Sequence, residues 1–453
     1  MANDLSRSGV KPANPGKAAS PLRKAITGPL LFLFILGDVL GAGVYALMGV
    51  LAGKVGGALW LPMLVALFLA MLTAGSYAEL VTKYPRAGGA AVFAQRAFKK
   101  PMLSFLVGFS MLAAGLTSAA GLSLAFSGSY LSTFISVPQT MAAVVFLALV
   151  SLLNARGIKE SLKINVGMTL IELSGLVIVM IAGAYLLSRG SGDVSRVLAF
   201  PGNTSAASAT LAGAVIAYYA FVGFETSANV AEEMKDPARS YAPALFGSLL
   251  VAGVIYVGVG LAASVALPPA ELAASTGPLL AVVDASGLGV PNWVFSFIAL
   301  IAVANGAMLT MIMASRLTYG MADEGLLPRV LARVLPERRT PWVAILATTL
   351  VAMALTLIGD LSTLAETVVL LLLFVFISTN AAVIVLRREP VAHEHFRVWT
   401  VMPYLGIASC FLLMAQQSGH VWALAGLFLV VGVGLYGLAR LGVNWSVPSP
   451  PSA

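Results

Sequence analysis

The feature that most constrains this chain is a series of hydrophobic stretches that recurs along nearly its whole length. A helix of about 20 apolar residues crosses the roughly 30 Å of hydrocarbon in a bilayer, and most of the stretches reach that length. Of the 453 residues, 59% are hydrophobic and 10% are charged, which leaves too little polar surface for a water-soluble fold. We therefore expect an all-α integral membrane protein surrounded by the lipid bilayer.

Charged residues, prolines and glycines divide the apolar sequence into about twelve transmembrane helices. The predicted spans are residues 26–53, 58–82, 102–134, 138–155, 161–187, 207–234, 241–266, 291–320, 341–358, 361–386, 398–417 and 420–440. Residues 1–24 are rich in Pro, Gly, Ser and Lys, and no small-residue cleavage site follows the first span, so a retained cytoplasmic tail is expected. An even number of spans places the second tail, residues 442–453, on the same side.

The distribution of lysine and arginine tests this topology, because cytoplasmic loops carry an excess of both. With twelve spans, all 27 basic residues except Lys54, Arg189 and Arg196 fall on one side. A missed or invented helix would scramble this alternation. The formal charge of +8 therefore reflects membrane topology and not a nucleic-acid partner. We expect both termini to be cytoplasmic and the chain to lie in a bacterial-type plasma membrane.

Residues for redox, metal or covalent chemistry are scarce. Cys410 is the single cysteine and lies inside an apolar span, which leaves no disulfide, CxxC pair or zinc cluster. The sequence contains no Walker motif, nucleophile elbow or catalytic triad. We predict no cofactor, no metal site and no enzymatic activity.

Two predicted spans contain glycine-bearing interruptions near mid-membrane. Span 1 contains Gly41-Ala42-Gly43, and span 6 contains Phe221-Val222-Gly223-Phe224. Glycine costs about 1 kcal/mol in a helix interior relative to alanine, so clusters at matching positions indicate helix breaks related by an inverted repeat. Close helix packing through small residues is the competing interpretation, and spacing alone does not decide between them.

Three carboxylic acids, Asp38, Glu172 and Glu225, are predicted near the bilayer midplane. Each lies roughly 18 Å from the cytoplasmic end of its helix at 1.5 Å per residue. An ionisable group at this depth costs at least about 2.5 kcal/mol, so each acid is a functional candidate. The alternative is a protonated acid that bonds a carbonyl freed by a helix break. Glu79, beside Lys83 near the inner end of span 2, is more typical of a structural ion pair.

A helix break exposes amides at the start of the second half and carbonyls at the end of the first half. The amides of Ala42 and Gly43, aided by the helix dipole, can hold a carboxylate. Carbonyls around Val39, Leu40 and the span 6 break can hold an ammonium group. An α-amino acid carries both groups on one carbon.

Four sequence blocks carry a resemblance to a known family. They are ILGDVLGAGVYAL at 35–47, SYAELVTKYPRAGGAAVFAQRAF at 76–98, AYYAFVGFETSANVAEEMKDP at 217–237 and ASRLTYGMADEGLLP at 314–328. In this order they resemble the amino acid-polyamine-organocation superfamily of permeases. The resemblance implies a LeuT-type fold, with two inverted five-helix repeats in residues 25–390, broken helices 1 and 6, and helices 11 and 12 in residues 391–441.

The resemblance also implies a substrate site at the two breaks. In it, the amides of Ala42 and Gly43 bind the substrate carboxylate, and carbonyls of both breaks bind the amine. Tyr219 falls where relatives place an aromatic residue over the substrate, and Glu225 where they often carry an acid linked to recognition or pH response. The candidate substrate-binding residues are Val39, Leu40, Gly41, Ala42, Gly43, Tyr219, Ala220, Phe221, Val222 and Glu225.

Two acids depart from the family pattern. Several proton-coupled relatives carry a lysine on helix 5 where this chain has Glu172, and Asp38 occupies a position on helix 1 that is commonly uncharged. If Asp38 and Glu172 face each other, the pair would carry a proton or bind a cation. Asp38, Glu172 and Glu225 are therefore the candidates for coupling.

We expect a secondary active transporter of amino acids that works by alternating access, driven by protons or by exchange. The alternatives are a polyamine or organic-amine transporter of the same fold and an amino-acid sensor that does not transport. Some relatives need a disulfide-linked glycoprotein partner, but the position of Cys410 within span 11 argues against one here.

Overall fold

The computed structural model describes residues 26–85, 89–156, 162–323, 325–335 and 340–440. These residues form helices and the loops between them, and they contain no β-strand beyond one isolated bridge. The predicted tails, residues 1–24 and 442–453, lie outside the described part of the chain.

The α-helices are numbered in chain order. They are α1 (Gly28–Leu40), α2 (Ala42–Val55), α3 (Trp60–Lys83), α4 (Gly89–Phe98), α5 (Pro101–Phe126), α6 (Ser129–Ser132), α7 (Gln139–Ala155), α8 (Leu162–Ser188), α9 (Ala206–Phe221), α10 (Pro237–Ala266), α11 (Pro269–Ala274), α12 (Pro278–Ser286), α13 (Asn292–Asp323), α14 (Trp342–Ile358), α15 (Leu361–Leu386), α16 (Met402–Met414) and α17 (Gly419–Arg440). Three 3₁₀ segments cover Val194–Leu198, Phe224–Glu233 and Arg329–Ala332.

The prediction of an all-α membrane protein is confirmed. Within the described residues, nine helical segments are long and apolar enough to cross a membrane, and Gly28–Val55 counts as one of them although it contains both α1 and α2. Three shorter apolar helices, α7, α14 and α16, coincide with predicted spans 4, 9 and 11. These three have only 13 to 17 residues, so the total of twelve spans stays a prediction.

Three helices were not anticipated from the sequence. The helix α4 lies in the predicted cytoplasmic loop after α3, and α11 and α12 lie between α10 and α13. They have 10, 6 and 9 residues, so a search for membrane-spanning stretches does not detect them. Proline at the first turn starts both α11 and α12, where its missing N–H costs no helical hydrogen bond.

Burial distinguishes central from peripheral helices. The most apolar window of the segment that contains α5 is 89% buried, because α13 and α15 pack against that helix. The corresponding window of α17 is 17% buried, and apolar side chains such as Leu427 and Val430 are exposed on its surface. Exposed apolar side chains of this kind suit contact with lipid.

Ile26, the first described residue, links the start of the first span to the end of the sixth span. The amide of Ile26 donates to the carbonyl of Glu233 at 3.0 Å, and the amide of Lys235 donates to the carbonyl of Ile26 at 3.0 Å. The start of α1 is therefore joined by backbone hydrogen bonds to the end of the 3₁₀ segment that follows α9.

A buried ion pair lies near the C-terminal end of α3. Arg387, just after α15, donates to both carboxylate oxygens of Glu79 at 2.7 and 2.6 Å, and the amide of Val398 donates to the same carboxylate at 3.0 Å. The structural role expected for Glu79 is present, but its partner is not the adjacent Lys83. That ammonium donates instead to the carbonyl of Leu386 at 2.7 Å.

Replacing Arg387 by Gln leaves the Glu79 carboxylate buried without its counter-charge. We expect the free energy of unfolding to fall by about 3 to 5 kcal/mol, because an unpaired buried charge is costly. The measurement is thermal unfolding of the purified protein in detergent. Arg388→Gln, which removes the same charge from the exposed neighbouring position, is the matched control. Equal melting temperatures for the two variants would contradict a stabilising ion pair.

Candidate functional site

The break in the first span is a single residue. The helix α1 ends at Leu40 and α2 begins at Ala42, while Gly41 between them is not helical. The first amides of a helix have no carbonyl partner within it, so the backbone N–H groups of Ala42 and Gly43 remain available at the start of α2. The interruption predicted for span 1 is present, and these amides lie where a carboxylate was expected to bind.

The break in the sixth span is wider. The helix α9 ends at Phe221, Val222 is extended, and Gly223 has a φ of +126° that strongly favours glycine. A 3₁₀ segment, Phe224–Glu233, follows in place of an α-helix. A Cβ added at Gly223 would lie 2.8 Å from the carbonyl oxygen of Asp38, so this break lies directly against the end of α1.

The second half of the first span also contacts the first half of the sixth. A Cβ at Gly43 would lie 2.9 Å from the Cα atom of Ala220, closer than a real Cβ contact permits. Both sequence interpretations of the small residues therefore hold. They form breaks, and they allow α2 and α9 to pack backbone against backbone.

Tyr256 on α10 connects the two breaks and was not identified from the sequence. Its hydroxyl oxygen lies 2.5 Å from the carbonyl oxygen of Val39 and 3.1 Å from that of Ala220. These are two of the carbonyls that the sequence assigns to a substrate amine. A tyrosine in an apolar helix carries no sequence signal for this role, because the position of α10 behind both breaks depends on tertiary packing.

Two of the three acids lie at the junction of the breaks. The carboxylate of Asp38 is hydrogen-bonded to the hydroxyl of Thr226, which also lies 2.8 Å from the carbonyl oxygen of Gly223. The carboxylate of Glu225 accepts a hydrogen bond of 2.9 Å from the amide of Gly223. Glu225 therefore caps the backbone of the break, and in that hydrogen bond its side chain bonds an amide instead of a freed carbonyl.

The third acid, Glu172, lies on α8 and is fully buried. One carboxylate oxygen accepts a hydrogen bond of 3.1 Å from the side-chain amide of Asn305 on α13. Within the described residues the other oxygen, Oε2, has no hydrogen-bond partner. Tyr45 on α2 donates to the backbone carbonyl of Glu172 at 2.6 Å, which joins α2 to α8.

Asp38 and Glu172 belong to one electrostatic environment but are not a hydrogen-bonded pair. The two carboxyl groups lie within electrostatic range of each other. In the described part of the chain, however, Asp38 bonds Thr226 and Glu172 bonds Asn305. Neither polar partner was identified from the sequence, because each comes from a span whose position relative to the acid is set by the fold.

The aromatic residues on the two sides of the break in the sixth span have different roles. The hydroxyl of Tyr219 forms a hydrogen bond of 2.8 Å with the hydroxyl of Ser118 on α5, a contact that crosses between helices. Phe221 packs edge-on against Tyr256 with ring centroids 5.1 Å apart. Phe224, after the break, stacks on an aromatic ring of α15. Tyr219 thus has a polar link across the site, whereas the two phenylalanines serve packing.

Some accessible surface remains at the two breaks. Asp38, Val222, Thr226 and Ser118 are each only partly buried, while most of their neighbours along the helices are buried. Together they present a carboxylate, two hydroxyls and an apolar side chain around the exposed ends of two helices. This arrangement can bind a small zwitterion.

Comparisons with known proteins agree on one family. Residues 28–433 match the sequence profile of a family described as amino acid permease. A branched-chain amino acid permease of Bacillus subtilis, BcaP, is 27% identical over 433 residues, which cover 88% of this chain and 90% of the relative. A methylthioribose transporter of the same bacterium is 26% identical over 429 residues, which cover 90% of this chain and 91% of that transporter.

A plant relative matches a smaller part of this chain. A chloroplastic protein of Arabidopsis thaliana, cationic amino acid transporter 9, is 29% identical over 330 residues, which cover 68% of this chain and 56% of that protein. The relatives named here are permeases or transporters, and none is named as an enzyme.

Replacing Gly43 by Ala tests the close approach of α2 and α9. The added Cβ would collide with the backbone of Ala220, so we expect a loss of about 1 to 3 kcal/mol in the free energy of unfolding. Gly53→Ala on the same helix is the control, because its Cβ would make an ordinary contact of 3.6 Å. Thermal unfolding in detergent measures both. A Gly43→Ala variant as stable as Gly53→Ala would contradict the contact.

Proposed function

Because this chain belongs to the amino acid permease family, we propose that it is a secondary active transporter that carries amino acids across the plasma membrane by alternating access. The observation that carries the proposal is the direct contact of the two helix breaks, Gly43 against Ala220 and Gly223 against Asp38. This contact brings the amides at the start of α2 close to the carbonyls at the ends of α1 and α9. The named substrates of two relatives, branched-chain and cationic amino acids, support this substrate class.

The substrate carboxylate binds the amides of Ala42 and Gly43, where the positive end of the α2 dipole adds to the hydrogen bonds. The substrate ammonium binds the carbonyls at the ends of α1 and α9. Tyr256 does not block them, because its hydroxyl has one proton and each carbonyl of Val39 and Ala220 has two lone pairs. Main-chain groups thus bind the carboxylate and ammonium groups common to all α-amino acids, and side chains determine the selectivity among them.

Tyr219 covers the substrate in this proposal, and Ser118 holds it in place. The hydrogen bond between their hydroxyls joins α9 to α5 beside the breaks. A net contribution of about 0.5 to 1.5 kcal/mol per hydrogen bond is small enough for the link to break in each transport cycle. Opening of this link would free the path to one side of the membrane.

Protons are the proposed coupling ion, and Asp38 is the proposed carrier. The hydroxyl of Thr226 has a single proton but lies between two acceptors, the Asp38 carboxylate and the Gly223 carbonyl. A proton on Asp38 supplies the missing donor. The protonated carboxyl group of Asp38 then donates to the hydroxyl of Thr226, and that hydroxyl donates to the carbonyl of Gly223. The site is fully hydrogen-bonded only in the protonated form.

Glu172 is the second proposed proton site. Among the described residues its buried Oε2 atom has no hydrogen-bond partner, and an unpaired negative charge in such a place is costly. A proton removes that charge.

Counterflow in proteoliposomes tests the transport proposal. Vesicles containing the purified protein and loaded with unlabelled leucine or lysine should take up the labelled amino acid, and an acidic exterior should drive accumulation. Binding without counterflow would identify a sensor. Counterflow of putrescine or methylthioribose, with no amino acid active, would replace the proposed substrate class.

Asp38→Asn tests the coupling role. The variant should retain amino-acid counterflow, which needs no net proton movement, and should lose the accumulation that an acidic exterior drives. Glu172→Gln should weaken the same pH-dependent accumulation while sparing substrate affinity. Glu366→Gln is the control, because Glu366 pairs with Lys54 at 3.1 Å away from the breaks. An unchanged pH profile of uptake in either site variant would remove that acid from the coupling role.

A further inference from the structure

A cavity of about 320 Å³ lies at the inner end of α3, away from the helix breaks. It is lined by Lys83, Tyr84, Pro85, Arg96, Val391, Ala392 and His393. The charge distribution of the sequence places this end of α3 on the cytoplasmic side. Lysine, arginine and histidine side chains are among the lining residues, and no lining residue is acidic.

Lys83 is a buried cation that lacks a carboxylate partner. It is 4% exposed, and within the described residues its ammonium makes no ion pair within 4.0 Å. The adjacent acid, Glu79, has both carboxylate oxygens engaged by Arg387. Lys83 therefore cannot share that counter-charge without competing with a bidentate guanidinium.

Within the described residues, the hydrogen bond of the Lys83 ammonium offsets only part of its charge. It goes to the carbonyl of Leu386 at the C-terminal end of α15. A helix C-terminus acts as roughly half a negative elementary charge. Glu79 and Glu389 add negative potential at Lys83, but each of these acids is itself paired with an arginine. Arg96 and Arg397 also lie within electrostatic range of Lys83 and add positive potential. The remaining charge favours binding of an anion.

The second cation of the cavity is held in a fixed orientation. The guanidinium of Arg96 lies over the ring of Tyr84, 3.8 Å from its centroid. Its Nε atom donates to Glu389 at 3.1 Å, and the hydroxyl of Tyr84 donates to the same carboxylate oxygen at 3.1 Å. Arg96 is about half exposed, so it lies at the cavity mouth, whereas Lys83 lies at its base.

The remaining wall comes from the segment between α15 and α16. A ring nitrogen of His393 lies 3.3 Å from the carbonyl oxygen of Thr82, and the amide of Phe396 donates to the hydroxyl of Thr82 at 3.0 Å. The described walls of this open cavity thus come from α3, α4 and this segment, and several hydrogen bonds connect them.

We propose that this cavity binds a phosphate group, with Lys83 as its main charge partner and Arg96 at the entrance. The volume is far larger than a chloride ion needs, and the several oxygens of a phosphate can accept from donors on different walls. At a cytoplasmic membrane surface the phosphate belongs either to an anionic phospholipid of the inner leaflet or to a soluble phosphate. Binding joins α3, α4 and the segment after α15, independently of the transport proposal.

Thermal unfolding of the full-length protein in detergent, after removal of bound lipid, tests the site. The probes are inorganic phosphate against chloride at equal ionic strength, and short-chain phosphatidylglycerol against phosphatidylcholine. We expect a saturable rise in melting temperature with the phosphate-bearing anion. Lys83→Gln should raise the half-saturating concentration by about tenfold or more, the loss expected for one charge-assisted hydrogen bond.

Arg239→Gln is the matched control. Arg239 is exposed on the same face and lines a different cavity, so its loss should leave the response unchanged. A response to phosphatidylglycerol alone assigns the site to lipid, and a response to inorganic phosphate assigns it to a soluble ligand. If Lys83→Gln does not fold, Arg96→Gln at the exposed mouth provides the same comparison. No response in the unmodified protein, or equal responses in the site and control variants, overturns the proposal.

Discussion

The need to satisfy every backbone polar group in lipid governs the centre of this protein. A helix interrupted within the hydrocarbon leaves amides and carbonyls that water cannot reach from the bilayer, so other groups must pair with them. Here the two interruptions are placed against each other and share partners. One hydroxyl, from Tyr256, serves carbonyls of both α1 and α9, and Glu225 serves the amide of Gly223. The groups left over are those that a zwitterionic substrate can satisfy.

Glycine makes this arrangement sterically possible. At Gly43 and Gly223 a side chain would collide with backbone atoms of the opposite span, so the two breaks can touch only because the side chains are missing. The same contact places the Asp38 carboxylate beside the break in the sixth span, where Thr226 reaches it. The carboxylate of Asp38 therefore lies next to the main-chain groups proposed to hold substrate.

Much of this architecture could be predicted from the sequence because hydrophobic length and charge placement are local properties. The all-α membrane fold and the broken spans follow from such patterns, whereas the midplane depth of the three acids stays a prediction. The hydrogen-bond partners of the site residues cannot be predicted from such local patterns. Tyr256, Ser118 and Asn305 gain their roles from helices that meet only in the folded bundle, and Glu79 pairs with a residue far along the chain instead of its neighbour. The inverted repeat and the number of spans stay predictions.

The backbone bridge between Ile26 and the segment around Met234 has a mechanical consequence. The first span is interrupted at Gly41 and the sixth at Val222 and Gly223, so the half before the first break and the half after the second are each separate pieces of helix. Two hydrogen bonds join the far ends of these halves, and the contact of Gly223 with Asp38 joins their near ends. With both ends connected, a tilt of one half would require a tilt of the other.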